Sequence, residues 1–174
     1  PTGWPASMVG IPYDALDNWR SVYPTETFVA QMQKVADGFA AGCELLQKAV
    51  AVSKGKYRKQ LTDDLGRART VGIHCASSAN QARFTEARNR LLTSTDRDER
   101  RRYIDTMRRA AEAEAELTAD LLPIVRNDPT IGYESSNHYF YVPQDLLEKQ
   151  LNIRYVLDWL DRQAEPRNSE TSQQ

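Results

Sequence analysis

Three long stretches of this chain repeat their apolar residues with the period of an α-helix, and that pattern limits the fold more than any other feature. In the first, Phe28, Met32, Val35, Phe39, Leu46 and Val50 follow one another at steps of three, four or seven, which places them on one helical face. Pro24-Thr25-Glu26 suits its start, with a proline near the first turn and an acid at the positive end of the helix dipole. The pattern fades at Ser53-Lys54-Gly55, a stop signal. The second stretch runs from about Arg58 to Leu92, with Leu61, Leu65, Ala68, Gly72, Cys75 and Ala79 as its inner stripe. Its middle is rich in small residues, so another backbone can come close there. Thr93-Ser94-Thr95-Asp96 marks a turn, and Asp96 with Glu99 has the spacing of a capping box. The third stretch carries Ile104, Met107, Ala111, Glu114, Leu117, Leu121 and Val125, with Glu114 interrupting an apolar face. Pro123 is expected to kink or end this helix near its last turn, and Asn127-Asp128-Pro129 is a break.

A fourth, shorter helix is expected to begin at Pro143, with Leu146, Leu147, Leu151, Val156, Leu157 and Leu160 as its apolar surface. The expected fold is therefore all-α, a bundle of three to four helices over 25–163. Residues 1–24 hold four prolines, two glycines, and Trp4, Tyr13, Trp19 and Tyr23, and read as an irregular, aromatic-rich opening segment. Asp14 to Arg20 has room for one or two helical turns. A second aromatic stretch, Ile131 to Val142, connects the third and fourth helices. Residues 164–174 have almost nothing to bury and read as a disordered tail. Neither an internal repeat nor a sustained heptad is present, which argues against a long coiled coil.

Chemistry is excluded more readily than it is found. The formal charge is −1 over 174 residues, which argues against wholesale electrostatic binding to nucleic acid. Arg100-Arg101-Arg102 stands among Asp96, Asp98, Glu99 and Asp105 and reads as a mixed-charge solvated face. No apolar run reaches the roughly 20 residues of a membrane span, so no membrane partner is expected. The sequence shows no basic-then-apolar signal peptide, and its first residues suit a processed or excised chain. His74 and Cys75 are neighbours, about 100° apart on a helix, and do not converge. With no CxxC or HExxH pair, neither a metal nor any other cofactor is expected. Cys43 and Cys75 read as small buried hydrophobes. Glu112, Glu114 and Glu116, spaced by two, spread around their helix; Glu114 alone falls on an apolar face. No nucleophile elbow, Cys/His framework or phosphate loop is present.

Two clusters stand out. The first is Ser77-Ser78-Ala79-Asn80-Gln81-Ala82-Arg83-Phe84, in mid-helix. Asn80, Gln81 and Arg83 are costly to bury unpaired, so they are expected on the solvent face or in helix-to-loop hydrogen bonds. The second is Gly132 to Tyr141, where aromatic rings stand beside amide, carboxylate and imidazole groups. Small-molecule sites pair apolar walls with a few placed polar groups, and a sugar has both apolar C–H faces and hydroxyl edges. Tyr133, Glu134, Asn137, His138 and Tyr139 are the candidate ligand-binding residues. As a plain structural loop, the same tyrosines would cover the bundle end while Asn137 and Glu134 fix the turn.

The same stretches carry a resemblance. Trp4 to Tyr13 (WPASMVGIPY), Asn80 to Phe84 (NQARF) and Ile131 to Tyr141 (IGYESSNHYFY) resemble the carboxy-terminal region of large bacterial glycoside-hydrolase-like proteins, from the first residues to about Leu160. Such proteins look like a catalytic (β/α) barrel followed by a helical region. The resemblance implies that the acid/base carboxylates lie upstream of these residues, and it transfers no catalytic residue to any position here. It implies a non-catalytic helical accessory region whose partners are the upstream catalytic domain and a carbohydrate, in a periplasmic or secreted protein. The reading from a different class is a helical protein–protein interaction module with no carbohydrate role.

Overall fold

The computed structural model describes residues 15–20, 22–131 and 141–164. Among these the chain is all-α: a single turn, α1 (Leu16–Trp19), then α2 (Thr25–Val52), α3 (Gly55–Thr93), α4 (Arg97–Asn127) and α5 (Pro143–Ala164). No strand occurs among the described residues. The bundle is built in sequence order: α2 packs on α3, α3 on α4, and α4 on α5, while Leu16 of α1 is buried against α3.

The turns explain the helix limits. At the end of α2, the Ser53 hydroxyl donates to the carbonyl of Val50 at 2.9 Å, and its backbone N–H donates to Ala49 at 3.1 Å. Gly55 then takes φ +56°, a left-handed value that glycine adopts without a Cβ clash. That reversal lets α3 begin three residues before the position expected from the apolar period. At the next turn Asp96 accepts a hydrogen bond from the backbone N–H of Glu99 at 2.8 Å. The Glu99 carboxylate accepts from the Ser94 hydroxyl at 2.8 Å, so Asp96 supplies the expected cap while Glu99 turns to Ser94. Arg100 donates to the carbonyls of Leu91 at 2.7 Å and Ser94 at 2.9 Å. One member of the arginine run therefore serves orphan carbonyls at the α3 end, while Arg101 and Arg102 are exposed. Pro123 does not end α4, which continues four residues further. The stop falls at Asn127, where Asp128 takes over as C-cap.

The α2–α3 interface is narrow. Its buried residues on α2 are Thr25, Ala36 and Cys43, small side chains on the line of closest approach. Phe28, Met32, Phe39, Leu46 and Val50 flank that line half-buried, and Val35 is exposed. A helix resting on one neighbour covers only a narrow strip. The helix-period residues therefore mark the correct side of α2 without all becoming core.

The core proper lies among α3, α4 and α5, in two apolar clusters. One joins Ala87 and Leu91 of α3 to Ile104 and Met107 of α4 and Leu160 of α5. The other joins Leu121 and Val125 of α4 to Leu146 of α5, with Ile73 of α3 packed against them. On α5 the inward line is Leu146, Lys149, Ile153, Val156 and Leu160, in alternating steps of three and four. Leu147 and Leu151, expected to be apolar surface of the bundle, instead face outward with Tyr155.

Candidate functional site

The two apolar clusters are separated by a polar belt. On each of the three core helices its residues fall between the two clusters in sequence: Ser77 and Asn80 on α3, Glu114 on α4, Lys149 on α5. Glu114 is 7% exposed. A carboxylate so placed is costly unless it is paired and hydrogen-bonded, and here three side chains meet it. Lys149 forms an ion pair with Oε1, the Ser77 hydroxyl donates to Oε1, and the Asn80 amide donates to Oε2 at 3.2 Å.

The belt extends outward. Arg83 donates to Asn80 Oδ1 at 3.0 Å and to Gln33 Oε1 of α2 at 3.1 Å. Gln33 donates in turn to Asp37 at 2.9 Å. Gln81 donates to the Ser77 hydroxyl at 3.3 Å, and Gln150 of α5 donates to the carbonyl of Ala115 at 2.7 Å. One chain of polar contacts thus crosses from α2 to α5. This corrects the expectation for the mid-helix cluster: Asn80 is buried, and Asn80 and Arg83 bond helix to helix rather than helix to loop. The physical reason is that α3 has neighbours on two sides, so residues off its α2-facing stripe are also covered.

Glu114 was visible in the sequence as an acid on an apolar face. Lys149 was missed, although it occupies an inward position of the stripe from Leu146 to Leu160. Ser77 carried no signal of its own. With three donors on its carboxylate, from α3 and α5, Glu114 anchors α4 to both helices. Glu112 and Glu116 are exposed.

Beside the belt lies a crevice of about 550 Å³ between α3, α4 and α5. Ala110, Ala111 and Glu114 line it from α4, Phe84 from α3, and Ile153 and Val156 from α5. Two further hollows, of about 720 and 830 Å³, follow the open seam where α2 and α4 lie on either side of α3.

Of the five candidate ligand residues, Tyr133, Glu134, Asn137, His138 and Tyr139 all lie outside the described residues. What the structure does place is the chain on either side of them. Ile131 and Tyr141 pack on the same cluster of Leu121, Val125 and Leu146. The Tyr141 hydroxyl is hydrogen-bonded to His74 Nδ1, with the rings edge to face at a centroid distance of 5.8 Å. His74 stands one helical turn before Ser77 and Ser78, so the flank of the aromatic stretch and the belt share consecutive turns of α3. His74 thus has an aromatic partner, and no group of three or more metal-ligating side chains occurs among the described residues. Cys43 and Cys75 are free thiols. Burial pushes the Cys75 thiol above its ordinary pKa, away from the reactive thiolate form. No described helix is long and apolar enough to cross a membrane.

No protein-family model, no curated protein and no solved structure matches this chain.

Proposed function

We propose that this chain is a non-catalytic helical accessory region of a carbohydrate-active, glycoside-hydrolase-like protein, supporting an upstream catalytic domain and lending it loop residues. The observation that supports this reading is the anchoring of Ile131 and Tyr141. Both ends of the aromatic stretch sit on one packed cluster, next to a polar belt that ties four helices together. A rigid scaffold holding the two ends of a polar, aromatic segment suits a segment that contacts a ligand or a neighbouring domain. Two of the three segments of the resemblance fit this reading, since Asn80 and Arg83 are belt residues and Tyr141 is a loop anchor; the third, Trp4 to Tyr13, lies outside the described residues.

The test is made in the parent protein with Asn137→Ala and Tyr139→Ala. Each should weaken carbohydrate turnover or binding by about threefold to tenfold, the worth of one hydrogen bond, and leave the melting temperature nearly unchanged. Lower melting temperature with intact affinity in the folded fraction would reduce the segment to a structural loop. An upstream sequence without the alternating strands and helices of a barrel would remove the carbohydrate reading itself.

A second reading is a helical protein–protein interaction module with no carbohydrate role. One observation favours it: Leu147, Leu151 and Tyr155 form an exposed stripe at steps of four along α5. Charged substitutions along that stripe would then abolish partner capture while carbohydrate turnover of the parent protein stayed unchanged.

A further inference from the structure

We propose that the crevice between α3, α4 and α5 is a binding site for a single polyhydroxylated ring that is neutral or carries an amine, and that it rejects acidic rings. This rests on the carbohydrate reading above but concerns a different place from the loop. The space exists because α4 presents Ala110 and Ala111 where larger side chains would fill it. Its volume of about 550 Å³ lies within the roughly 300–1,000 Å³ of small-molecule sites. Phe84 on one side and Ile153 and Val156 on the other form apolar walls suited to the C–H face of a ring.

The polar groups are arranged for hydroxyls. Asp145, Glu148 and Asn152 follow one another at steps of three and four along the α5 edge of the crevice. None of the three has a side-chain hydrogen-bond partner among the described residues. They are acceptors and one amide with unused capacity, standing above an apolar slot. Glu114 and Lys149, at the inner end, are already engaged with each other. Around the crevice, three carboxylates (Glu114, Asp145 and Glu148) face the single ammonium of Lys149. This surplus of negative charge repels a carboxylate or phosphate on a ligand and attracts an ammonium.

The experiment titrates the 174-residue chain with glucosamine, glucose and glucuronate at about pH 6, where an amine is protonated, following backbone amide shifts by NMR. Saturable shifts are expected at Gln81–Thr85, Ala110–Glu114 and Asp145–Val156. Glucosamine should bind about two- to fivefold more tightly than glucose, the worth of an exposed ion pair, and glucuronate should not saturate. Glu148→Gln with Asp145→Asn should erase the preference for the amine while lowering the melting temperature only slightly, because neither carboxylate has a side-chain partner among the described residues and only Asp145 is a first-turn acid of α5. Ala111→Leu should fill the slot and abolish binding. If that variant does not fold, Asn152→Ala, at an exposed position, decides in its place by weakening binding. Absence of saturable shifts for all three sugars overturns the proposal, as does glucuronate binding equal to glucosamine. Since the readout is binding to this chain alone, its failure would leave the loop's effect on the parent protein intact, and the converse also holds.

Discussion

Lys149 of α5 forms an ion pair with Glu114 of α4 in the middle of the bundle, at a level where every other inward residue of the three core helices would be expected to be apolar. The Ser77 hydroxyl and the Asn80 amide complete the shell around the carboxylate. Because helices from three parts of the chain meet at this one anion, its neighbours specify how α3, α4 and α5 align along their axes.

Removing one partner should therefore cost more than removing both. Lys149→Met is expected to lower stability by about 2–3 kcal/mol, less than the roughly 3–5 kcal/mol of a fully buried pair because the lysine retains water contact. The lysine side chain is 31% exposed. Glu114→Met combined with Lys149→Met should recover most of that loss, since no uncompensated charge remains. Urea denaturation of the two singles and the double checks the sign of the coupling. A double variant as unstable as the sum of the singles would mean that the pair contributes nothing as a pair.

The α2–α3 contact makes a second test. A Cβ on Gly72 would stand 3.1 Å from Phe39 Cβ and 3.7 Å from the Ala36 carbonyl oxygen. Phe39 Cβ is fixed to the α2 backbone, so the helix itself would have to move. A Cβ on Gly42 would meet nothing within 4 Å. Both glycines are inside helices, so both gain a similar amount of helix propensity on substitution, about 1 kcal/mol. Gly42→Ala is expected to stabilise by about that amount, while Gly72→Ala should fall below it by about 1–3 kcal/mol of overpacking. Equal thermal stabilities of the two variants would show that α2 is free to shift.

Capping at the start of α4 is local and should behave so. Asp96→Ala removes the acceptor of the Glu99 N–H and is expected to cost about 1 kcal/mol. Asp96→Ser should retain most of the stability, as serine also caps well. Thermal melts of the two variants distinguish the cap from a general effect of charge.

Asp128 supplies a pH dependence. Its side chain accepts from the Thr130 hydroxyl at 2.6 Å and the Thr130 N–H at 3.1 Å, and Arg67 lies 3.5 Å away. The Thr130 hydrogen bonds first, and the nearby guanidinium after them, hold its carboxyl below the usual carboxylate range. A depressed folded-state pKa stabilises the fold above the unfolded value, about 3.9, and that contribution fades as pH falls through the folded value. Asp128→Asn should thus be less stable than the parent chain at neutral pH, and the gap should close in acid. Urea midpoints measured across that range check it, and a gap that persists below the folded-state pKa would contradict the assignment.

The all-helical class, the turn at Ser53-Lys54-Gly55, the aspartate cap at Asp96 and the break at Asn127-Asp128-Pro129 were all legible in the residues. Each depends on the chain within a few positions: a period of 3.6, a left-handed glycine, a side chain that reaches the next turn. The sides of the helices were only partly legible. Leu147 and Leu151 were expected to pack and face outward, whereas Asn80, expected on the solvent face or bonded to a loop, and Lys149, which carried no expectation, meet a buried carboxylate. Helical periodicity shows that a face exists; which face is covered depends on how many neighbours the helix acquires. Here α2 packs on α3 alone, whereas α3 is covered by α2 on one side and by α4 and α5 on the other. The polar belt and the crevice beside it were not legible for the same reason. They join residues from 33 to 156, brought together only when four helices pack, and the cost of burying Glu114 is offset by donors that no local pattern brings to it.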